Sequence, residues 1–375
     1  MVVESYDLAV VGAGIVGLAH ALAAAKKGLK VVVVDRDAQA NGASIRNFGF
    51  VTVTGQERGA CWQRAMRSRD IWAEIAPEAG IRVEHRGLVV AARRPEAAAV
   101  LEAFMTTEMG AGCRMLSPTE ARGLVPALKA DGMVAALHSS HEIRVESREA
   151  IPKLARWLET AHGVTFRRQT AVRTVAPPAI ETTTGTIRAA RAVVCPGDDF
   201  LSLFPERIAA YGVTKCKLHM MRVTPADPTP LGAAVMSDLG LVRYLGYAAL
   251  PEAAALKARL EAEQADALDN GVHLIVVQSA DGSLVVGDSH HYGPTPDPFA
   301  PEHVDRLILD EFDAVLAMPG RRVTERWTGI YASASDRLMF VDKPSDDVRI
   351  AMVTSGTGAS TAFGIAEEVI GEWIG

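Results

Sequence analysis

The chain has 375 residues, 49% of them hydrophobic and 22% charged, and it carries a formal net charge of −6. This length accommodates two domains, or one domain with a large insertion, and the composition is typical of a globular enzyme. The Lys and Arg residues are scattered and form no basic stripe, which argues against a nucleic-acid-binding protein.

No targeting or membrane-spanning segment is evident. Residues 1–5 lead directly into an apolar strand, with no basic region, apolar core or cleavage site before it. The longest apolar segments are interrupted by Gly, Lys or Asp well before the roughly 18 residues of a membrane-spanning helix. We therefore expect a cytoplasmic protein without a transmembrane segment.

The four cysteines indicate neither a metal centre nor a disulfide framework. Cys61, Cys113, Cys195 and Cys216 lie far apart in the sequence, and none forms a C-x-x-C pair. We expect small, mostly buried free cysteines and no metal site.

The N-terminal segment predicts a βαβ unit that binds a dinucleotide. An apolar strand ends at Val11, and Gly12, Gly14 and Gly17 follow in the spacing G-x-G-x-x-G. An Ala- and Leu-rich helix then leads to a second buried strand over residues 31–34. In this motif the first glycine makes the tight turn, the second admits a pyrophosphate, and the third lets helix and strand pack closely.

Asp35 completes the motif at the end of the second strand. It lies roughly 20 residues after the glycines, where an acidic side chain accepts a hydrogen bond from a ribose hydroxyl. The pyrophosphate would bind the free N–H groups at the N-terminus of the helix. Strand, glycine turn, helix, strand and acid together are a specific signal, whereas an isolated G-x-G-x-x-G is a weak one.

Residues 41–55 form a loop of small residues that carries Arg46 and Asn47. Such a loop lets the backbone approach a flat or anionic ligand, although an ordinary connection explains the same composition. A helix is predicted over residues 56–79.

Strands and helices alternate in the following segment. We predict a strand over 83–92, a helix over 95–109, a short helix capped by Ser117, two short strands over 133–145, a helix over 147–162 and a strand over 164–168. Further strands follow, and one over residues 192–195 runs into Pro196 and Gly197, a second place where backbone could approach a nucleotide.

A second sheet is predicted over residues 211–292. The segments GVTKCKLHMMRVT, LVRYLGY, VHLIVVQ and SLVVGDSHHYG alternate apolar and β-branched residues, which indicates a mostly antiparallel sheet. A charged helix over 252–268 interrupts it, and a helix over 301–318 and a segment over 322–331 follow.

The C-terminal segment repeats the pattern of the N-terminus. A strand over residues 347–353 is followed by SGTGAST and a final helix, which directs N–H donors at a ligand. Two such turns at opposite ends of the chain imply a discontinuous nucleotide-binding domain. We therefore predict an α/β (α+β) fold with a Rossmann-like domain over 1–82, 146–205 and 322–375, and a mostly antiparallel substrate-binding domain with helices over 83–145 and 206–321.

These motifs, in this order, resemble the D-amino-acid oxidase (DAO) superfamily of FAD enzymes. The opening fingerprint, GASIRNFG, AVVCPGD, the W-x-G at Trp327 before an Asp-rich turn, and the terminal SGTGAST span nearly the whole chain. The glycine oxidase and sarcosine oxidase branch is the most similar. The resemblance implies that the discontinuous domain binds FAD, noncovalently because no cysteine occupies the position where some sarcosine oxidases attach the flavin.

By this resemblance, the ADP half of FAD lies on the first βαβ unit, and the C-terminal turn lies at the pyrimidine edge of the flavin. Val172 would meet the adenine through its backbone, and Gly197 would line the nucleotide. The residues implied to bind FAD are Gly12, Gly14, Ile15, Val16, Gly17, Asp35, Arg36, Ser44, Arg46, Asn47, Gly49, Val172, Gly197, Gly356, Thr357, Gly358, Ala359, Ser360 and Thr361.

The sequence departs from the amino-acid-oxidising relatives after W-x-G. Those relatives usually supply an Arg there that binds the substrate carboxylate, whereas this chain has Tyr331. A simple α-amino acid is therefore disfavoured as the substrate. GASIRNFG, CKLHMMR, LVRYLGY and GDSHHYG instead resemble a branch associated with aminophosphonate catabolism.

A phosphonate dianion needs several cationic donors, which the sequence offers from separate segments. For most of these cations taken singly, core packing or an ion pair is the more common role. Because adjacent strand residues point to opposite faces, at most one of His290 and His291 can face a pocket directly. The candidate pocket residues are Arg46, Lys217, His219, Arg243, Tyr244, His290, His291, Trp327 and Tyr331.

The predicted activity is FAD-dependent oxidation of the C–N bond of 2-aminoethylphosphonate or, preferably, its N-methyl form. A neutral amine would pass hydride to flavin N5, and hydrolysis of the imine would give phosphonoacetaldehyde and the amine, without an obligatory acid–base pair. The expected partners are a small-molecule amine and an electron acceptor, either oxygen or another carrier.

Three alternatives stay open. The first is a glycine, sarcosine or D-amino-acid oxidoreductase that uses another cation, such as Arg46, for the carboxylate. The second is a non-catalytic FAD-binding subunit that uses the fold as a scaffold. The third is an NAD(P) dehydrogenase, which would use the same N-terminal fingerprint.

Overall fold

Within residues 5–227 and 229–374, which the computed structural model describes, the chain forms two β-sheets and a set of helices. The strands are β1 (Ser5–Val11), β2 (Val31–Val34), β3 (Phe50–Val51), β4 (Val83–Ala92), β5 (Cys113–Leu116), β6 (Ala135–Val145), β7 (Thr165–Arg167), β8 (Val172–Ala176), β9 (Ala179–Thr182), β10 (Gly185–Val194), β11 (Thr214–Thr224), β12 (Ala234–Ser237), β13 (Ile275–Gln278), β14 (Leu284–Gly287), β15 (His291–Gly293), β16 (Arg322–Ser333), β17 (Met339–Ser345) and β18 (Val348–Val353).

The helices lie between these strands and at the C-terminal end. They are α1 (Ile15–Lys26), α2 (Ala60–Glu78), α3 (Pro95–Met105), α4 (Pro118–Leu124), α5 (Ser147–His162), α6 (Pro205–Ala209), α7 (Leu245–Ala248), α8 (Ala253–Glu263), α9 (Ala265–Asp269), α10 (Glu302–Val315) and α11 (Gly358–Ile374). Three 3₁₀ helices span Ala43–Ile45, Glu108–Gly110 and Asp238–Val242. In the part of the chain that the structure describes, no helix is both long enough and apolar enough to span a membrane.

The first sheet has the strand order β17-β18-β10-β1-β2-β7, and the hairpin β8–β9 is joined to β10. Strands β1, β2, β7, β10 and β18 run parallel. All four valines of β2 are buried because apolar residues cover both faces of the sheet. Parallel strands end at the same edge, so the turns that follow β1, β2, β10 and β18 lie together there.

The second sheet is antiparallel apart from the pair β4–β12. Its order is β15-β11-β14-β13-β12-β4-β6-β3, and β16 pairs along the length of β11. Phe104 of α3, Leu256 of α8 and Phe312 of α10 pack into its apolar core. One mainly parallel and one mainly antiparallel sheet, with helices, confirm the α/β (α+β) fold class predicted from the sequence.

The chain passes between the two sheets several times. The first sheet draws its strands from three separate parts of the sequence, including both ends of the described chain. Strands β3 and β16 hydrogen-bond within the second sheet, although both lie in segments predicted for the FAD-binding domain. The domain boundaries themselves stay a prediction.

Three predicted elements differ in the structure. Residues 133–145 contain the single long strand β6 instead of two short strands, because β3, β4 and β5 pair along it. The charged helix predicted over 252–268 breaks into α8 and α9 at Gln264. LVRYLGY is not a strand: it contains the end of the 3₁₀ helix Asp238–Val242, a turn and the start of α7. The Gly246 N–H donates to the Gly55 carbonyl at 2.9 Å and holds this segment against the loop before α2.

Candidate active site

A cavity of about 600 Å³ lies between the two sheets. One wall consists of the turns after β1, β2, β10 and β18, together with the loop that contains the 3₁₀ helix Ala43–Ile45. The other wall is formed by β11, β13, β15, β16 and the segment after the 3₁₀ helix Asp238–Val242. A volume of this size is typical of sites for small molecules and cofactors.

The glycine turn before α1 is shaped for a close approach of the backbone. Gly12 has a φ of 106°, which favours glycine. A Cβ on Gly17 would lie only 1.9 Å from the Gly12 carbonyl oxygen, so helix and turn pack as closely as the motif requires. The first turn of α1 lines the cavity, and its N-cap residue Gly14 has no side chain that could occupy the N–H groups there. The Ile15 N–H donates to Ser44 Oγ, and the other N–H groups of this turn can bind an anion such as a pyrophosphate.

Asp35 lies at the end of β2 and lines the cavity. Its carboxylate accepts hydrogen bonds from the Ala13 N–H at 2.6 Å and from the Asp37 N–H at 2.8 Å. These bonds orient the carboxylate between the glycine turn and the next loop, and a carboxylate retains further acceptor sites for a ribose hydroxyl. The adjacent Arg36 pairs with Asp199 at 2.7 Å.

The loop after β2 is held by polar contacts from its own side chains. Ser44 Oγ accepts the Ile15 N–H at 2.9 Å, which joins the loop to α1. Asn47 donates to the Ala43 carbonyl at 2.7 Å and accepts from the Gly49 N–H at 2.6 Å. Ser44, Arg46 and Asn47 line the cavity. Gly49 does not line the cavity. It packs against the end of β6, where a Cβ would lie 1.8 Å from the Val145 carbonyl oxygen.

The remaining predicted cofactor residues mostly reach the same cavity. Val172, Gly197 and residues 356–360 line it, whereas Thr361 does not and bonds back to the Thr357 carbonyl at 3.0 Å. Two contacts fix the start of α11: Trp72 Nε1 donates to the Ala359 carbonyl, and Ser360 Oγ accepts the Thr52 N–H, both at 2.9 Å. A glycine cradle, a helix start with a glycine N-cap and a carboxylate at the end of β2 fit a bound FAD.

The second-sheet wall contains several of the predicted substrate-pocket residues. Arg243, Tyr244, His290 and Tyr331 line the cavity, and Arg46 reaches it from the loop after β2. The Arg243 guanidinium donates to the Tyr292 hydroxyl at 2.9 Å. Burial raises the pKa of Tyr331 well above its ordinary value, so its phenol stays protonated. This wall presents a cation and hydroxyl donors to a ligand.

Four predicted pocket residues are not brought to the cavity. Leu218 of β11 lines it, so the adjacent Lys217 and His219 point to the opposite face of the sheet. Lys217 pairs there with Asp297 at 2.9 Å, and His219 lies 3.4 Å from Asp305. His291 is the third residue outside the cavity, and on that face its ring lies 5.5 Å from the ring of His219.

Trp327 is the fourth residue outside the cavity, and it holds the loop after β2 in place. Its Nε1 donates to the Arg46 carbonyl at 3.2 Å, which joins β16 to the loop after β2. The guanidinium of Arg148 lies over its ring at 5.1 Å. As expected from strand alternation, only one of the two adjacent histidines, His290, faces the cavity.

Two buried residues of this wall were not predicted, His273 and Asp288. Both line the cavity beside His290, and the donor atoms of the three side chains lie within 4.8 Å of one another. Burial raises the pKa of Asp288 to about 8, against the opposing effect of Arg243. Burial also lowers the pKa of His273 and of His290 well below the ordinary value.

A sequence signal for these two residues existed but was incomplete. Asp288 and His290 stand two positions apart in GDSHHYG, the spacing that places side chains on one face of an extended segment. His273 occurs in VHLIVVQ, which was predicted as a strand. The pairing of β13 with β14 decides which face of each strand meets the cavity. The sequence pattern of the two segments does not specify this register.

A parallel sheet with a dinucleotide-type glycine turn, closed by an antiparallel sheet across a large cavity, defines the protein as a dinucleotide-dependent oxidoreductase with two sheets. The profile of the DAO family, described as FAD dependent oxidoreductase, matches residues 7–371. The chain therefore belongs to this family, and its cofactor is FAD, as the resemblance seen in the sequence predicted. Among curated proteins, none matches the sequence significantly.

Solved structures of similar fold cover nearly the whole chain. L-proline dehydrogenase from P. horikoshii is 20% identical with a TM-score of 0.78, over 98% of this chain and 93% of that one. Glycine oxidase from Geobacillus kaustophilus is 19% identical with a TM-score of 0.77, over 99% and 95%. Iminodiacetate oxidase from Chelativorans sp. BNC1 is 18% identical with a TM-score of 0.72, over 98% and 95%. At these identities the likeness establishes the fold.

Proposed function

We propose that the protein oxidises the C–N bond of an aminophosphonate, N-methyl-2-aminoethylphosphonate or 2-aminoethylphosphonate, to phosphonoacetaldehyde and the free amine. The observation that carries this proposal is the Arg243 guanidinium, which lines the cavity and donates to the Tyr292 hydroxyl. A guanidinium in a cofactor cavity calls for an anionic group on the substrate, and its planar fork suits a phosphonate.

Tyr331 supports a substrate other than a simple α-amino acid. It lies in β16, where the amino-acid-oxidising relatives usually supply a carboxylate-binding Arg. A Cβ on Gly356 would lie 3.0 Å from Tyr331 Cζ, so the ring packs against the turn before α11. Because burial keeps its phenol protonated, Tyr331 brings a neutral hydroxyl and no charge to this position.

The residues of the chain contribute binding and positioning. FAD, when bound, supplies the hydride acceptor. The first turn of α1 and Asp35 would hold the ADP half, and the start of α11 would direct N–H groups toward the flavin end. Arg243 would anchor the phosphonate, so that the carbon next to nitrogen is presented in a fixed orientation.

The proposal is tested by anaerobic stopped-flow reduction of the purified holoenzyme with a panel of amines. We expect N-methyl-2-aminoethylphosphonate to bleach the flavin at a higher kred/Kd than glycine, sarcosine or D-alanine. Faster bleaching by one of the amino acids would reject the aminophosphonate substrate. Bound FAD that no amine reduces would instead support the non-catalytic subunit.

A second candidate is a glycine, sarcosine or D-amino-acid oxidoreductase. Arg46 favours it, because this residue lines the cavity on the loop after β2 and its guanidinium donates to the amide oxygen of Asn41 at 3.2 Å, with no acidic partner among the described residues. One such cation is sufficient to bind a carboxylate. The same amine panel distinguishes the two candidates.

A further inference from the structure

One oxygen of a buried carboxylate in the second-sheet wall has no hydrogen-bond donor within the described residues. Asp288 is 4% exposed, and its Oδ1 has no hydrogen-bond partner within the described part of the chain. A buried carboxylate in this state is costly unless a donor or a cation binds it. Because Asp288 also lines the cavity, a ligand in the cavity can provide that donor.

The neighbouring His290 presents a second acceptor to the same point. Its Nδ1 lies 2.8 Å from the Gly271 carbonyl oxygen, which can only accept, so Nδ1 carries the proton. In the neutral ring Nε2 then has a free lone pair, and it lies 3.7 Å from Asp288 Oδ2. Two acceptors that face each other at this distance are matched by a group with several N–H donors.

His273 closes the third side of this acceptor cluster. Its Nδ1 lies 3.1 Å from Asp288 Oδ1, but the angles do not form a hydrogen bond and the atom has no other partner among the described residues. The rings of His273 and His290 are 5.0 Å apart. Asp288, His273 and His290 therefore form a pocket for a small, positively charged hydrogen-bond donor.

The charge of Arg243 selects the kind of cation. The positive charge of Arg243 lowers the pKa of both histidines and of Asp288. The same charge would repel a divalent metal ion placed among them. A zwitterion is favoured, because its anionic group can neutralise Arg243 while its ammonium group donates to the acceptor cluster. An aminophosphonate and an amino acid both meet this requirement.

We propose that Asp288, positioned by His290 and His273, binds the ammonium group of the substrate and takes one proton from it. This step rests on the proposed function, in which only a neutral amine can release hydride. An N–H bond of the substrate breaks, an O–H bond forms on the Asp288 carboxylate, and no electrons leave the substrate in this step. Asp288 is thus assigned as the catalytic base of an oxidation for which the sequence indicated no acid–base group.

Asp288 is the group of this wall that changes charge near neutral pH. Burial raises its pKa to about 8, and Arg243 opposes that rise. Burial lowers the pKa of both histidines, and it raises the pKa of Tyr244 and, to about 11, that of Cys216. The accepting carboxylate therefore forms as pH rises through about 8. A substrate amine whose pKa is similar to that of a lysine, about 10.4, is still protonated at this pH.

The test is anaerobic flavin reduction of the holoenzyme by N-methyl-2-aminoethylphosphonate between pH 6 and 10, for the wild type and for Asp288→Asn. In the wild type kred/Kd should rise through a pKa near 8. In Asp288→Asn it should fall about 100- to 1,000-fold at pH 8, the usual contribution of a general base. The residual rate should increase with pH up to the pKa of the amine itself.

The matched control is Asp305→Asn. Asp305 is a buried carboxylate beside a histidine, His219, on the face of the sheet away from the cavity. The Asp305→Asn variant should keep the wild-type pH profile. FAD content and melting temperature are measured for all variants. A wild-type rate and profile in Asp288→Asn would overturn the proposal. So would a stoichiometric divalent metal that the wild type contains and Asp288→Asn lacks.

A second measurement needs no variant that might fail to fold. Propylphosphonate has a methyl group where 2-aminoethylphosphonate has its ammonium group, and its Kd follows from the change in flavin absorbance. The wild type should prefer the amine increasingly as pH rises through about 8, and a preference that ignores pH would contradict the assignment. If sarcosine rather than the phosphonate reduces the flavin, the substrate claim fails, and the same Asp288→Asn comparison is made with sarcosine.

Discussion

Arg243 and Arg46 each line the cavity from a different element, and each would anchor the substrate anion in one of the two candidate functions. In Arg243→Gln, the Kd of N-methyl-2-aminoethylphosphonate should rise roughly 10- to 100-fold, because a hydrogen bond to a charged group contributes about 1.5–3 kcal/mol. N-methylpropylamine, which lacks the phosphonate, should bind the variant and the wild type alike. Both values come from the concentration dependence of anaerobic flavin reduction.

Arg46→Ala is the matched variant for that experiment. We expect it to retain its FAD and to bind the phosphonate within a few-fold of the wild type. Loss of anion binding in Arg46→Ala but not in Arg243→Gln would place the anchor on the loop after β2, as the amino-acid oxidoreductase requires.

Single residues could be predicted where their roles follow from local spacing. Gly12, Gly17 and Asp35 were identified because the motif fixes turn, helix and strand end within one short segment. Lys217 and His219 were assigned to the pocket although both point away from it, since a shift of one residue along a strand reverses the face. The same uncertainty about the face of a strand explains why Asp288 was not predicted to line the cavity.

At the scale of elements, the close contact between α1 and the turn before it is the most sensitive feature. A Cβ on Gly17 would meet backbone at 1.9 Å, so Gly17→Ala must displace α1 from the turn. We expect this variant to lose about 1–3 kcal/mol of unfolding free energy, as overpacked sites do, and to bind FAD more weakly. Chemical denaturation and FAD titration of the apoprotein measure the two effects.

Gly371→Ala provides the control for that substitution. Gly371 lies within α11, and a Cβ there would meet no atom within 4 Å. Alanine should stabilise this helix by about 0.5–1 kcal/mol. If Gly17→Ala were as stable as Gly371→Ala and bound FAD normally, the glycine turn would not have the role assigned to it.

Elements with strong local signals were predicted well. The bounds of α5 agree with the prediction over 147–162, because the helix is amphipathic and Gly163 ends it with a φ of 65°. Ser117 caps α4 as predicted, and together with Glu120 it forms a capping box. LVRYLGY was wrong as a strand, because contacts with Gly55 far away in the sequence decide its conformation.

At the scale of the molecule, the predicted nucleotide site draws on both ends of the chain. Strand β10 pairs with β1 on one side and with β18 on the other, which brings the two Gly-rich turns to one edge of the sheet. Helix α11 packs against α2, where the rings of Trp72 and Phe363 are 5.2 Å apart at an interplanar angle of 85°. The two similar turns in the sequence predicted a discontinuous domain, whereas the position of β10 between β1 and β18 is given only by the structure.

The second-sheet wall could be predicted only in part: Arg243 was among the predicted pocket residues, whereas His273 and Asp288 were not. Arg243, His273 and Asp288 come from three segments that meet only through the pairing of β13 with β14 and the path of the 3₁₀ helix Asp238–Val242. No local motif connects these segments, and each residue has an ordinary structural explanation when it is considered alone. Their joint exposure to the cavity is a property of the tertiary structure.

The most direct test of the proposed reaction is to identify the products of a single anaerobic turnover. Holoenzyme is mixed with one equivalent of N-methyl-2-aminoethylphosphonate, and the products are measured by phosphorus NMR and amine analysis. We predict one phosphonoacetaldehyde and one methylamine for each FAD reduced. Formaldehyde with 2-aminoethylphosphonate would mean oxidation at the methyl carbon, and unchanged phosphonate with oxidised flavin would mean no reaction; either result would contradict the account.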